Sequence, residues 1–114
     1  MAGVMVLLEH SGDFLGTRFQ GQPLRLELER LLREPGDIHL DFEGVNITQS
    51  CADEFLGTLI AEHGEELLSR LHFKKCSTAV RAILELVIGG RLRDNENLKR
   101  VGNAQGRLPA AHAY

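Results

Sequence analysis

Ser50, Cys51, Asp53 and Glu54 form the densest run of side chains able to do chemistry, and they sit between polar Thr48-Gln49 and an apolar helical repeat. A serine at such a helix start is a natural N-cap, its hydroxyl accepting a free backbone N–H, and Asp53 three residues on makes a variant of the capping box. The same position suits a phosphoryl group, because the first-turn N–H groups and the helix dipole attract anions. A phosphate there would add about −1.5 to −2 charge above Asp53 and Glu54 and recast the surface by repulsion. Ser50 is therefore read both as a helix N-cap and as a candidate phosphoacceptor.

Rival chemistries have less support. Adjacent helical residues point about 100° apart, so Asp53 and Glu54 do not converge as an acid/base pair. Complementarity to the helix dipole already accounts for them, at about 0.3–1 kcal/mol each. Cys51 would gain thiolate character from the dipole and lose it to the neighbouring acids, which leaves a core thiol as the expectation. The histidines at 10, 39, 63, 72 and 112 lack metal-ligand spacing, and neither Cys51 nor Cys76 supplies it, so no metal and no cofactor is expected. There is no Gly-rich phosphate loop and no nucleophile elbow. Asp41 falls near the C-terminal end of an expected strand, where open α/β sheets place ligands; its alternative role is to orient the following loop.

The elements that must position these residues fit one domain. The chain has 114 residues, 43% of them hydrophobic but only 5% aromatic, so the core must be built mainly from aliphatic side chains. Val4 to Leu8 reads as a strand, with Phe14 to Phe19 as a second short piece in a hairpin. Pro23 suits a first helical turn, and Leu24, Leu28, Leu31 and Leu32 make an apolar stripe that Pro35-Gly36 ends. Ile38, Leu40 and Phe42 alternate as a strand. Ala52, Phe55, Leu56, Leu59 and Ile60 mark the next helix, which Gly64 stops. Leu71 to Phe73 is a short strand, and Val80, Ile83, Leu84, Val87 and Ile88 define a helix that Gly89-Gly90 ends. Helices are thus expected near 22–34, 50–63 and 77–89, and helices alternating with strands imply crossovers and a mostly parallel or mixed sheet.

Charge is unevenly placed. The net charge is −3, yet Arg91, Arg93, Lys99, Arg100 and Arg107 outnumber Asp94 and Glu96 at the C-terminal end, so the body is acidic and the tail basic. Mild overall acidity excludes coating nucleic acid by bulk charge. The apolar run at residues 4–8 is too short for a signal-peptide core, and no segment has the roughly 20 apolar residues that cross a bilayer. A reducing cytoplasm is the expected location.

The string Leu40-Asp41-Phe42-Glu43-Gly44-Val45, followed by Ile47-Thr48-Gln49-Ser50-Cys51-Ala52-Asp53-Glu54-Phe55, resembles the STAS-like family of unknown function (DUF4325), with its LDF-GV--I-QSFADE run. Ser11-Gly12-Asp13-Phe14-Leu15, Thr17-Arg18 and Gly21 before Leu24-Arg25 also fit, and the similarity covers about residues 4 to 93. More distantly, LDFEGV with Ser50 is similar to the segment of STAS domains found in anti-sigma factor antagonists. There the first serine of a pair starts a helix, is phosphorylated by a kinase of histidine-kinase-like ATPase type, and controls partner exchange. Here Gln49 replaces the Asp of that segment, Cys51 the second Ser and Ala52 the Gly.

The resemblance implies an α/β fold: a single STAS-like domain with an about four-stranded mixed sheet and about three helices mainly on one face. The domain is expected over residues 1–93, with a basic, flexible tail over 94–114. The expected role is a non-enzymatic, bacterial-type regulatory module that binds a protein partner, a histidine-kinase-like ATPase being the implied candidate. Ser50, Gln49, Asp53 and Glu54 would form its recognition surface, with Thr17, Arg18 and Asp41 along the edge. Two other classes stay open: a small-ligand or nucleotide-binding domain using the polar loop, and, lower, a DNA-associated accessory using the basic tail.

Overall fold

A computed structural model describes residues 3–102, with side chains to residue 98. Three strands, β1 (Val4–Val6), β3 (Ile38–Asp41) and β5 (Leu71–Lys74), form a parallel sheet in the order β1-β3-β5. A separate parallel pair joins β2 (Phe14–Leu15) to β4 (Asn46–Ile47). The fold is α/β as expected, but the strands divide into two small sheets, and both are parallel. Parallel neighbours need long crossovers, and helices supply them here.

The expected hairpin at the start does not form. After Val6 the chain enters one helical turn, α1 (Leu7–Ser11), which ends at Gly12 with φ 79°. Leu7 is buried on the way, and Phe14-Leu15 then pairs with β4 instead of β1.

Helix α2 (Arg18–Leu32) begins earlier than the proline suggested. Thr17 caps it through a complete capping box with Gln20, and this reciprocal bonding outweighs the preference of Pro23 for a first turn, so Pro23 lies inside the helix. Gly21, Leu24 and Leu28 form its buried face. At the other end the Arg70 guanidinium donates to the carbonyls of Leu32, Glu34 and Gly36, closing the turn into β3.

The next helical run has three parts: α3 (Gln49–Ala52), a π-helical turn (Asp53–Gly57) and α4 (Thr58–His63). The predicted apolar positions Ala52, Phe55, Leu56, Leu59 and Ile60 are all buried. The π turn adds Gly57 to the buried side, with the Thr58 N–H donating to the Asp53 carbonyl. One short turn, α5 (Glu65–Leu68), leads to β5.

Helix α6 (Thr78–Gly102) runs through Gly89-Gly90, so that pair does not stop it. Tertiary contacts override the local signal: Leu92 packs on the core, and Asn95, only 7% exposed, donates from Nδ2 to the Ala61 carbonyl at 2.8 Å. The helix thereby crosses the 93/94 boundary drawn from sequence. The stretch Asn103 to Tyr114, expected to be mobile, lies outside the described residues. Among the described residues, no helix is long and apolar enough to cross a membrane.

The core is aliphatic with Phe42 and Phe55 added, and the sheet offers it one face. Met5, Ile38, Leu40 and Leu71 point inward, while their alternates Val4, His39 and His72 lie in register on the other face. The imidazoles of His39 and His72 stack there with centroids 4.8 Å apart.

Candidate functional site

Thr48 organises the start of α3. Its backbone is extended, its hydroxyl accepts the Cys51 N–H at 3.2 Å, and the same hydroxyl donates to the Gly16 carbonyl at 3.1 Å. The second bond ties α3 to the chain entering α2. This corrects the cap assignment: Thr48, not Ser50, is the N-cap, because only Thr48 lies where both bonds can be made. Ser50 falls within the first turn of α3 and is exposed, so its hydroxyl is released from capping. Asp53 correspondingly completes no capping box.

Asp53 and Glu54 instead enter an arginine clasp between α2, the π turn and α6. Arg91 grips Asp53 with two bonds, Nε to Oδ1 at 2.7 Å and Nη2 to Oδ2 at 2.8 Å. Such forked pairing fits the planar guanidinium to the carboxylate. Arg18 Nη1 lies 3.3 Å from Asp53 Oδ2 and 3.5 Å from Glu54 Oε1, bridging both acids, and Arg25 Nη1 pairs with Glu54 Oε2. The two carboxylate side chains are 20% and 17% exposed, whereas Arg18 is 55% exposed and forms the outer edge of the clasp.

The electrostatics follow from this packing. The Arg91 hydrogen bonds hold the Asp53 carboxyl below its ordinary range against the opposing effect of burial, and the Arg91 charge and Arg18 add to the lowering. Asp53 in turn keeps the Arg91 guanidinium more firmly protonated. Cys51 is fully buried, and burial, aided by the Glu54 charge, pushes its thiol up to about 11, the opposite of an activated nucleophile.

Two glycines let the clasp close. A Cβ at Gly21 would sit 2.8 Å from the Cys51 carbonyl oxygen and 2.9 Å from Glu54 Cβ; one at Gly57 would collide with the Asp53 carboxylate. Gly21 therefore allows α2 to lie against the π turn, and Gly57 leaves room for the Arg91–Asp53 pair. Sequence reasoning missed Arg25, Arg91, Gly21 and Gly57 as members of the site. Arg91 comes from 38 positions away, with no local signal. The Thr17-x-x-Gln20 capping signature could have placed the start of α2, and with it Arg18.

A family model described as "STAS-like domain of unknown function (DUF4325)" matches residues 20–81, a span that includes Arg25 of the clasp and the whole Ser50–Glu54 segment. The chain belongs to the DUF4325 family. No curated protein and no solved structure matches it. In this DUF4325 chain, Arg18 and Arg91 lie outside the matched span, so the clasp joins the family segment to helix residues on either side of it.

The remaining predicted positions divide between two places. Arg18 is the outer member of the clasp, while Thr17, which caps α2, and Gln49 and Ser50, which begin α3, flank it. Gln49 also lines an open cleft of about 290 Å³ with Asp53, Leu86, Arg91, Arg93 and Asp94. Asp41 stands apart at the end of β3, its Oδ1 accepting the Glu43 N–H at 2.9 Å, which turns the loop after the strand. Among the described residues, no hydrogen bond or ion pair joins it to the clasp, and no group of three or more His, Cys, Asp or Glu is arranged to hold a metal ion.

Proposed function

We propose that this DUF4325 domain is a non-enzymatic regulatory module that docks another protein through the surface around Ser50, Asp53 and Glu54, and that phosphorylation of Ser50 switches partners. The supporting observation is the exposed Ser50 hydroxyl one helical turn ahead of two carboxylates already neutralised by Arg18, Arg25 and Arg91. A phosphate at that position repels Asp53 and Glu54 and competes for Arg18, the most exposed of the three arginines. The surface then changes both charge and side-chain arrangement without any reaction being catalysed by this chain. Gln49 and Thr17 border the same patch, and the buried Cys51 thiol is poorly suited to nucleophilic work.

The test is direct. Incubation with a histidine-kinase-like ATPase and ATP, followed by peptide mass spectrometry, is expected to place one phosphate on Ser50 and none on the Ser50→Ala variant. Phosphate on another residue, or none, counts against the switch.

A further inference from the structure

We propose that the distal part of α6, from Arg91 onward, is a hinged latch that opens at Gly89-Gly90 and then presents the Asp53 carboxylate to a basic side chain of a partner protein. The inference deepens the docking role proposed above and rests on that reading for the identity of the surface.

Glycine inside a helix is unfavourable because it loses the most backbone freedom on folding. Gly21, Gly57 and Gly64 each have a reason to be glycine, since an added Cβ would strike a neighbour. Gly89 and Gly90 have none. Neither has a positive φ, and a Cβ at either would meet only the Arg93 guanidinium at 3.7 and 3.8 Å, an ordinary contact. Two adjacent glycines thus weaken α6 at a point where the closed structure does not call for them.

The anchoring of α6 changes character at the same point. Before the pair, Val80, Leu84, Val87 and Ile88 are buried in the core. After it, the helix is held by the Arg91–Asp53 fork, by partly buried Leu92 and by the Asn95 bond to the Ala61 carbonyl, while Leu98 is exposed. The Arg91–Asp53 pair, with both side chains partly exposed, exchanges with water or with another molecule more readily than buried aliphatic contacts do, whereas Asn95 is buried and yields only when the segment moves as a unit. The weak point therefore separates a segment with four side chains buried in the core from one whose described anchors include an exchangeable ion pair.

Opening leaves Asp53 chemically satisfied. Arg18 remains on its Oδ2, and the place vacated by Arg91 fits a planar guanidinium from outside. Arg91 is then an internal competitor for the site, and a partner with an exposed arginine exchanges one forked pair for another.

Amide hydrogen exchange on the full chain, with no partner present, tests the hinge. Amides of residues 91–98 are expected to exchange as one block, at least about tenfold faster than those of 80–88. Exchange of the block should slow about tenfold in the Gly89→Ala/Gly90→Ala variant and quicken in Arg91→Ala, with 80–88 unchanged. A smooth gradient toward the helix end, or a block indifferent to the glycine substitutions, overturns the latch. Calorimetric titration with a short arginine-rich peptide tests the competition: Arg91→Ala should bind about tenfold tighter than the parent, and the double-alanine variant more weakly. Equal affinity for all three overturns it. Neither arm depends on modification of Ser50, so failure of the phosphorylation test remains distinguishable from failure of the latch.

Discussion

Substituting Gly21 by alanine is expected to lower the unfolding free energy by about 2–3 kcal/mol, a large effect for one methyl group. The methyl would be placed against the Cys51 carbonyl oxygen, Glu54 Cβ and the Phe55 backbone nitrogen, at 2.8, 2.9 and 3.2 Å. Two of these three atoms are backbone in a helix packed from both sides, so they cannot step aside as a side-chain tip could. Relief requires α2 to lift from the π turn, which loosens the packing of Leu24 and Leu28 and stretches the Arg25–Glu54 pair. Urea denaturation followed by circular dichroism measures the loss as a shift in midpoint at constant slope. Gly90→Ala is the control: its Cβ has room, and no comparable loss is expected. An unchanged midpoint for Gly21→Ala would show that α2 does not lie against the π turn as described.

Asp53→Asn is expected to cost about 2 kcal/mol at neutral pH, the scale of losing charge-assisted bonds to a partly buried partner. The carboxamide offers Arg91 one acceptor where the carboxylate offered two, and it removes the charge that Arg18 also shares. The pH dependence carries a definite sign. The folded-state pKa of Asp53 is depressed from its ordinary 3.8, so the stabilisation is fully present above that value. It is lost progressively as pH falls below 3.8 toward the depressed folded value, where the native carboxylate at last takes up its proton. The gap in stability between the parent and Asp53→Asn should therefore be constant from pH 7 to about 5 and narrow on further acidification. Chemical denaturation at a series of pH values checks it, and a gap that widens in acid refutes the assignment.

The partners of Asp53 and Glu54 explain why the clasp was only half legible. Ser50, Asp53 and Glu54 lie in one short run, and their proximity to one another is a property of the chain. Their partners are not. Nothing local singles out Arg25 in α2, and Arg91 reads as one cation of a basic tail; they are bound to acids 29 and 38 positions away, respectively. Ser50 was expected to cap the helix, and Thr48 takes that place because its hydroxyl accepts the Cys51 N–H and also reaches the Gly16 carbonyl of another segment.

The same division holds for the fold. Period-2 spacing identified the strand around Ile38–Asp41 and period-3.6 spacing the apolar faces of three helices, since burial of one face leaves its pattern in the residues themselves, and the short strand at Leu71 to Phe73 was expected as well. The α/β class and membership in the DUF4325 family were likewise readable from the linear order of residues. Tertiary structure alone decided that β2 pairs with β4 rather than β1, that α6 continues through Gly89-Gly90, and that Asp53 and Glu54 face arginines instead of open solvent. Each of those outcomes depends on contacts between residues far apart in sequence. Local preferences are worth about 1 kcal/mol per residue at most outside proline, and a few well-made long-range contacts exceed that.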